Sequence, residues 1–204
     1  MQIDTEHLHY WMQAIRQSPD PIRTMDAFWS GQLKSKEWLI DALVQAYPQT
    51  SVSSSPVSID IFGGWVGTLA SMLFQSKFPI ANIRSIDIDP ECEPVATMMN
   101  KHEEMQGRFR AVTADMCTIR SDADVIINTS CEHITQDQYD LWISGVPANS
   151  LIVLQSNNYV FPDHIRIAPS LEQFKEQSNI NVLWEGELTM PLYTRWMLIG
   201  KPNV

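Results

Sequence analysis

The spacing of apolar residues divides the chain into a helical amino-terminal part and a longer part in which strands and helices alternate. In the first part, apolar residues recur three or four positions apart, which is the spacing of one helix face. These residues are Leu8, Trp11, Met12 and Ile15. The proline-containing segment 18–21 predicts a break, and a second helical region is predicted over 24–47.

Within the second helical region, Gly31 is expected to interrupt the helix. Ser35 is predicted to be the N-cap of a helix that continues through Trp38 and Leu43, since a serine side chain can accept a hydrogen bond from a free first-turn N–H. A short polar link follows. We therefore divide the chain into a helical cap, residues 1–50, and a larger domain, residues 51–204.

From residue 57 onward, short apolar runs rich in isoleucine and valine predict strands. The runs are VSIDIF, IRSIDID, FRAVTAD, ADVIINTS and SLIVLQS. Helical patterns separate several of them, over 66–76, 90–105 and 137–144. Alternation of this kind predicts a parallel sheet with helices on both faces. The last two apolar runs, NVLWEGELTM and YTRWMLIGK, are joined only by a short proline-containing turn, which predicts an antiparallel pair at the end of the sheet.

Composition narrows the class of protein. The chain has 204 residues, of which 44% are hydrophobic and 19% charged, so it can bury the core of one domain. Its net charge of −10 makes a broad nucleic-acid-binding surface less expected, because such surfaces depend on lysine and arginine. Three scattered cysteines, no signal-peptide pattern and no apolar run near the roughly 20 residues of a membrane span predict a cytoplasmic protein with reduced thiols.

A glycine-rich turn follows the first predicted strand, in the stretch Asp60-Ile-Phe-Gly63-Gly64-Trp65-Val66-Gly67. Glycine permits positive φ and lets a ligand approach the backbone closely. An acid, Asp87, ends the second strand about twenty residues later, as in nucleoside sites where a carboxylate accepts hydrogen bonds from ribose hydroxyls.

With TADM after the third strand and the antiparallel pair at the end, the chain resembles the class I S-adenosylmethionine-dependent methyltransferases over roughly residues 57–200. The resemblance implies an α/β fold: a Rossmann-like, seven-stranded, mainly parallel sheet with an antiparallel last strand, and S-adenosylmethionine as cofactor. The glycine turn departs from the family pattern, because Phe62 and Val66 stand where glycines are common.

By the family pattern, Asp87 would hold the ribose, Ile88 would pack near the adenine, and Asp115 would bind the adenine amino group. The cofactor-binding residues that the resemblance implies are Asp60, Phe62, Gly63, Gly64, Trp65, Gly67, Asp87, Ile88, Asp115, Met116 and Asn128. Structural alternatives stay open: Phe62 and Trp65 could pack between sheet and helix, Asp89 suits a helix N-cap, and Asp115 could be a loop acid.

Polar residues leave the fourth and fifth strands, whose carboxyl ends face the transferred methyl group in this fold. Glu132 and His133 are the candidate catalytic residues, as a base or as groups that bind substrate, and the alternative is that they start the next helix. The candidate substrate-binding residues are Gln155, Asn157, Asn158 and Tyr159, with an asparagine-rich turn as the alternative.

The segment FWSGQLKSKEWL could bind the methionine carboxylate or close over the substrate, and the alternative is that its tryptophans pack in the core; its candidate residues are Trp29, Gln32, Ser35, Lys36 and Trp38. On the last strand, Tyr193 or Arg195 could reach the mouth of the substrate site.

No metal site is expected from the ligand spacing, because Cys131 and His133 make only a pair and no other set has zinc-like spacing. The expected function is methyl transfer to a small polar molecule. Three alternatives stay open: a non-catalytic cofactor-binding subunit, an NAD-dependent oxidoreductase, and transfer of the cofactor's aminocarboxypropyl arm.

Overall fold

A twisted seven-stranded sheet in the order β3-β2-β1-β4-β5-β7-β6 organises the chain. The structure is a computed structural model that describes residues 5–47 and 56–203. The strands are β1 Val57–Phe62, β2 Ile80–Asp87, β3 Phe109–Thr113, β4 Val125–Asn128, β5 Leu151–Asn157, β6 Ile180–Thr189 and β7 Thr194–Pro202. The helices are α1 Thr5–Gln17, α2 Pro21–Asp26, α3 Ser30–Ala46, α4 Thr68–Phe74, α5 Cys92–Met99, α6 Lys101–Met105, α7 Gln136–Ser144 and α8 Leu171–Ser178.

The five amino-proximal strands are parallel, as predicted. β1 lies at the centre and pairs with β2 on one side and β4 on the other. β4 and β5 are buried at every position, so their unbroken apolar runs are those of strands covered on both faces. One apolar core lies on each face of the sheet. The predicted fold class is therefore confirmed.

The last two strands form the predicted antiparallel pair. β7 runs antiparallel to both β5 and β6 and lies between them, so the final strand of the chain is inserted in the sheet. β6 alternates buried or half-buried with exposed side chains, which fits an edge strand covered on one face.

The second helical region differs from the prediction. α3 starts at Ser30, and Gly31 lies in its first turn without interrupting it. The break falls earlier, over 27–29. Ser35 is not an N-cap: it is buried inside α3, where its Oγ donates to Gln155 Oε1 on β5 over 3.1 Å. Packing against the sheet therefore overrides the local capping preference.

Two further differences concern helices. The predicted helix over 90–105 is divided into α5 and α6 at Asn100, whose Nδ2 donates to the carbonyl oxygens of Ala96 and Gly67. α8 is absent from the sequence prediction, although Ser170 caps it by accepting from the N–H of Gln173. The only large apolar residues that α8 buries are Leu171 and Phe174, so the apolar pattern that would predict a helix from the sequence is weak.

The amino-terminal helices pack directly on the sheet domain. Trp11 of α1 is buried, and its indole N–H donates to Ser71 Oγ of α4 over 2.8 Å. The predicted boundary between residues 50 and 51 lies outside the described residues, so the division into cap and domain stays a prediction. Among the described residues, no helix combines the length and the apolar character needed to cross a bilayer.

We predict that Gly67→Ala destabilises the fold more than Gly107→Ala. Both glycines have positive φ, 78° and 71°, so alanine costs about 1–2 kcal/mol at either position. At Gly67 an added Cβ would also lie 2.6 Å from Asn100 Nδ2 and 3.1 Å from Ala96 Cα, whereas at Gly107 nothing lies within 4 Å. Overpacking adds about 1–3 kcal/mol. Urea unfolding of both variants measures the difference, and equal losses would contradict the close contact between the turn and α5.

Candidate active site at the carboxyl ends of the strands

A cavity of about 820 Å³ opens at the carboxyl ends of the central strands, where open α/β sheets bind their ligands. It brings together most of the residues singled out in the sequence. Those that line it are Gly63, Gly64, Trp65, Asp87, Ile88, Asp115, Met116, Asn128, Glu132, His133, Gln155, Asn157 and Tyr159.

The glycine turn forms one wall of the cavity because it is wedged between two neighbouring strand ends. Gly63 has φ 63°, and a Cβ added there would lie 2.6 Å from Ser130 Oγ. A Cβ at Gly64 would lie 2.0 Å from Ser85 Oγ. Trp65 also adopts the left-handed conformation, with φ 48°, which is strained for a bulky residue. Glycine is thus needed for close approach, and the strained tryptophan lies at the cavity wall.

Asp87 connects this turn to the end of β2. Its Oδ2 accepts from the N–H of Trp65 over 2.8 Å, and its Oδ1 accepts from the N–H of Asp89 over 3.1 Å. Each carboxylate oxygen has a second lone pair, so the group can accept further hydrogen bonds from a ligand in the cavity. Asp87 therefore both shapes the turn and offers acceptors to the cavity.

Asp89 anchors α2 beside the cavity. Its carboxylate accepts from the N–H of Glu91 over 3.0 Å and pairs with Arg23 at 2.5 Å. The hydrogen bond from Glu91 and, second, the Arg23 guanidinium lower the pKa of Asp89. Asp89 is not the N-cap of α5, because the helix begins at Cys92 with Glu91 as its N-cap, so the capping alternative considered for Asp89 is wrong.

Three other predicted cofactor residues lie further along this wall. Ile88 is exposed at the rim, Met116 is half-buried, and Asp115 accepts from the N–H of Cys117 over 2.8 Å. Asn128, at the end of β4, is buried, and its Oδ1 accepts from the Ser130 N–H. Its Nδ2 has no hydrogen-bond partner within the described ranges, which leaves a donor for a ligand.

Four predicted residues do not line the cavity. Asp60 is buried in a two-point ion pair with Arg84 of the adjacent strand. Phe62 packs edge-on against Trp142, with ring centroids 5.4 Å apart, because it follows cavity-lining Ile61 and therefore points to the opposite face. The other two are Gly67, which packs on α5, and Asn158, which accepts from the N–H of Thr194. The structure assigns all four to packing or pairing and gives none of their side chains a cavity contact.

Glu132 lines the cavity and is only 2% exposed. It follows β4 in a short 3₁₀ helix, Cys131–His133. Its Oε1 accepts from Asn157 Nδ2 over 2.6 Å and lies 3.6 Å from Arg195 Nη1. Its Oε2 has no hydrogen-bond partner among the described residues. A buried carboxylate oxygen without a partner is costly, which points to a missing ligand.

Arg195 joins three elements around this acid. Its Nε donates to Gln155 Oε1 over 3.2 Å and its Nη2 donates to the carbonyl of Thr129 over 2.6 Å. Gln155 also accepts from Ser35 of α3. The predicted substrate residues Gln155 and Asn157 therefore act as supports for the charged groups as well as cavity walls.

Lys36 of α3 adds a second cationic group to the cavity. Its Nζ donates to Gln32 Oε1 over 2.9 Å. Burial, and to a lesser degree the charge of Arg195, lower the pKa of Lys36 to about 7. Nothing in the sequence marks Lys36 as a titrating group, because its low pKa depends on tertiary burial.

His164 joins His133 at the cavity and was not found by the sequence analysis. The two imidazoles meet edge to face, with centroids 4.7 Å apart. No local motif surrounds His164, and it is 31 positions beyond His133, so only the fold brings them together. Tyr159, Phe161 and Tyr193 add aromatic side chains to the same part of the cavity.

Cys131 is not placed for nucleophilic chemistry. It is fully buried, and this burial raises the pKa of its thiol to about 12. The structure therefore supports the packing interpretation over the nucleophile. All three cysteines are free.

No protein-family description and no curated protein matches the chain. Several solved structures do match the chain. Magnesium protoporphyrin IX methyltransferase from Synechocystis PCC 6803 with bound SAH aligns with a TM-score of 0.64 at 12% identity, over 98% of this chain and 95% of that chain. The pyocyanin biosynthetic protein PhzM gives 0.64 at 14% identity, over 95% and 62% of the two chains.

A methyltransferase from Geobacter sulfurreducens in complex with S-adenosyl-L-homocysteine gives a TM-score of 0.56 at 11% identity, over 81% of this chain and 90% of that chain. Identities this low show the fold alone. The chain has the Rossmann-like fold of the class I S-adenosylmethionine-dependent methyltransferases.

Proposed function

We propose that this protein is an S-adenosylmethionine-dependent methyltransferase that acts on a small polar molecule. The observation that carries the proposal is a single cavity lined by two unlike groups of residues. The glycine turn and Asp87, which we call the cofactor wall, suit a nucleoside, and Glu132, Arg195 and Lys36, which we call the charged wall, suit a polar molecule. Such a cavity can hold a cofactor and a second molecule side by side.

The cofactor wall supplies the contacts that the nucleoside needs. Asp87 would accept hydrogen bonds from the ribose hydroxyls, and Ile88 and Met116 would flank the adenine, with Asp115 at its amino group. Asn128, through its free Nδ2, would donate to the methionine end of the cofactor. Solved structures with this fold were crystallised with S-adenosylmethionine or its demethylated product, which supports the choice of cofactor.

When bound in this cavity, the cofactor would supply an activated methyl group, whose in-line transfer to a substrate nucleophile would break the carbon–sulfur bond and leave its electron pair on a neutral thioether sulfur. The protein's main task is to align the two molecules and exclude water, and alignment contributes roughly 7–11 kcal/mol in favourable cases. Glu132 and His133 are the groups placed to bind the nucleophile or to receive its proton.

The charged wall favours a polar substrate. Lys36 and Arg195 suit an anionic or acceptor group, Glu132 suits a donor, and Tyr159 and Tyr193 offer ring faces to the rest of the molecule. The cavity is of the size of small-molecule sites, and the chain's charge of −10 disfavours a nucleic-acid partner.

Strand order argues against the oxidoreductase alternative. Dinucleotide-binding domains have the order 3-2-1-4-5-6 with a last strand that continues the parallel sheet. Here β7 is inserted antiparallel between β5 and β6. The non-catalytic subunit and the transfer of the aminocarboxypropyl arm use the same cofactor wall, so products and turnover separate them from methyl transfer.

We predict that calorimetric titration detects S-adenosylhomocysteine binding and that Asp87→Ala weakens it about 10- to 100-fold, the cost of losing hydrogen bonds to a charged acceptor. Asp41→Ala is the matched control, because Asp41 is exposed on α3 and does not line the cavity. Thermal unfolding of Asp87→Ala tests whether the turn survives the loss of its bond to Trp65. Absence of binding by the wild-type protein, or equal binding by wild type and a folded Asp87→Ala, would contradict the proposed cofactor site.

We predict that Lys36 titrates near pH 7. The unfolded chain holds this proton up to about pH 10.4, so between pH 7 and 10 the unfolded state binds more protons and stability rises with pH. Below pH 7 both states are protonated, and this contribution to the slope disappears. The free energy of unfolding of the wild type, minus that of Lys36→Met, should therefore rise from pH 7 to 9. Lys34→Met, at an exposed position of α3, is the control and should show no such slope.

A further inference from the structure

Three side chains with metal-ligating atoms converge inside the cavity. A carboxylate oxygen of Glu132 and one ring nitrogen each of His133 and His164 all lie within 4.8 Å of one another. All three residues line the cavity. They come from two separate segments, the one that follows β4 and the one that follows β5.

Hydrogen bonds to the backbone orient both imidazoles. His133 Nδ1 lies 3.1 Å from the carbonyl oxygen of Asp163, and His164 Nδ1 lies 2.9 Å from that of Tyr159. A carbonyl oxygen can only accept, so each Nδ1 carries the hydrogen and each Nε2 keeps its lone pair. Metal-binding histidines show this arrangement, in which the non-ligating nitrogen donates to a carbonyl or carboxylate.

The carboxylate of Glu132 has one oxygen without a hydrogen-bond partner among the described residues. Glu132 Oε1 is occupied by Asn157 and lies nearest Arg195, whereas Oε2 is buried without a partner in the described part of the chain. A residue only 2% exposed cannot satisfy that oxygen with bulk water. A cation would satisfy it, on the oxygen that is not paired with the guanidinium.

The backbone holds the cluster in place. The carbonyl oxygen of Glu132 accepts from the N–H groups of Ile165 and Arg166, over 2.8 and 3.0 Å, which binds the His164 segment to Glu132. The Arg166 guanidinium also donates to the carbonyl of Cys131 and stacks 4.0 Å above the ring of Tyr139. The three ligands are therefore positioned by contacts that do not depend on the ion.

We propose that Glu132, His133 and His164 bind one divalent transition-metal ion. Two imidazole nitrogens and one carboxylate suit zinc, iron(II) or a similar ion better than magnesium or calcium, which prefer oxygen ligands. Three protein ligands leave at least one coordination position open. Because the three residues line the cavity, a substrate bound in the cavity could reach an ion that they hold.

One consequence of this site rests on the proposed function. If that function holds, the ion would bind the substrate through an oxygen atom. Coordination to a divalent ion would lower the pKa of a bound hydroxyl group, whose proton would then pass to water. Glu132 and His133 then act as ligands and do not themselves receive the proton. The substrate class narrows to molecules that present a hydroxyl oxygen to the methyl group.

The test measures zinc binding directly. Full-length protein is stripped with a chelator and dialysed against Zn²⁺, and we expect one tightly bound ion per chain. Glu132→Gln and His164→Ala should each weaken binding at least about 10- to 100-fold, since even loss of a residue that only supports a ligand has an effect of that size. His9→Ala, at an exposed histidine of α1, is the matched control and should bind like the wild type.

Glu132→Gln keeps the acceptor for Asn157 and the size of the side chain, so it should fold even where His164→Ala does not. Cobalt(II) gives a second measurement, because its visible d–d absorption reports the number and arrangement of its ligands, and the wild-type spectrum should be weakened or altered in both variants. Unchanged zinc affinity in a folded Glu132→Gln, or no stoichiometric zinc on the wild type, would overturn the proposal.

Titration with S-adenosylhomocysteine in the presence of the chelator keeps the two proposals separate. Cofactor binding without zinc binding would remove the metal site and leave the methyltransferase. Zinc binding without cofactor binding would support the metal site and contradict the proposed methyltransferase function. An enzyme that binds both should lose turnover on chelation and regain it with added metal.

Discussion

Parallel pairing of β1 with both β2 and β4 is the constraint on which the site depends. Because parallel strands all end at the same edge of the sheet, the glycine turn after β1, Asp87 at the end of β2 and Asn128 at the end of β4 must meet there. Residues separated by tens of positions along the chain thus line one cavity without any long-range motif. The inserted strand β7 completes that edge by bringing Arg195 beside Glu132.

Much of this arrangement could be predicted from the sequence, because it depends on local pattern. Apolar runs of four to eight residues predict the central strands, and polar residues directly after them predict the cavity. These patterns do not predict which side chains within a strand point into the cavity. Asp60 and Phe62 belong to the recognisable motif, yet each has its side chain on a structural contact, Asp60 with Arg84 and Phe62 with Trp142. The two-residue alternation of a strand decides which side chains reach the cavity.

The remainder of the site depends on tertiary contacts that no local spacing reveals. His164 reaches His133 only because backbone hydrogen bonds fold its segment onto Glu132. Lys36 acquires its low pKa only when α3 packs over the sheet and Arg195 comes near. The expectation of no metal site considers only spacing along the chain, which carries no information about two segments that meet in space, and the zinc titration proposed above tests it.

Trp65 shows how this site is balanced against stability. A bulky residue held at φ 48° costs of order 1–3 kcal/mol that a glycine there would not. The cost is retained at the wall of the cavity, where the indole can contact a ligand, and the N–H next to it is fixed by Asp87. The indole also packs against the apolar cluster of Trp11, Val66 and Met99, so its burial offsets part of the cost of the strained backbone. Tertiary packing therefore holds a bulky residue in a backbone conformation that its local preference disfavours.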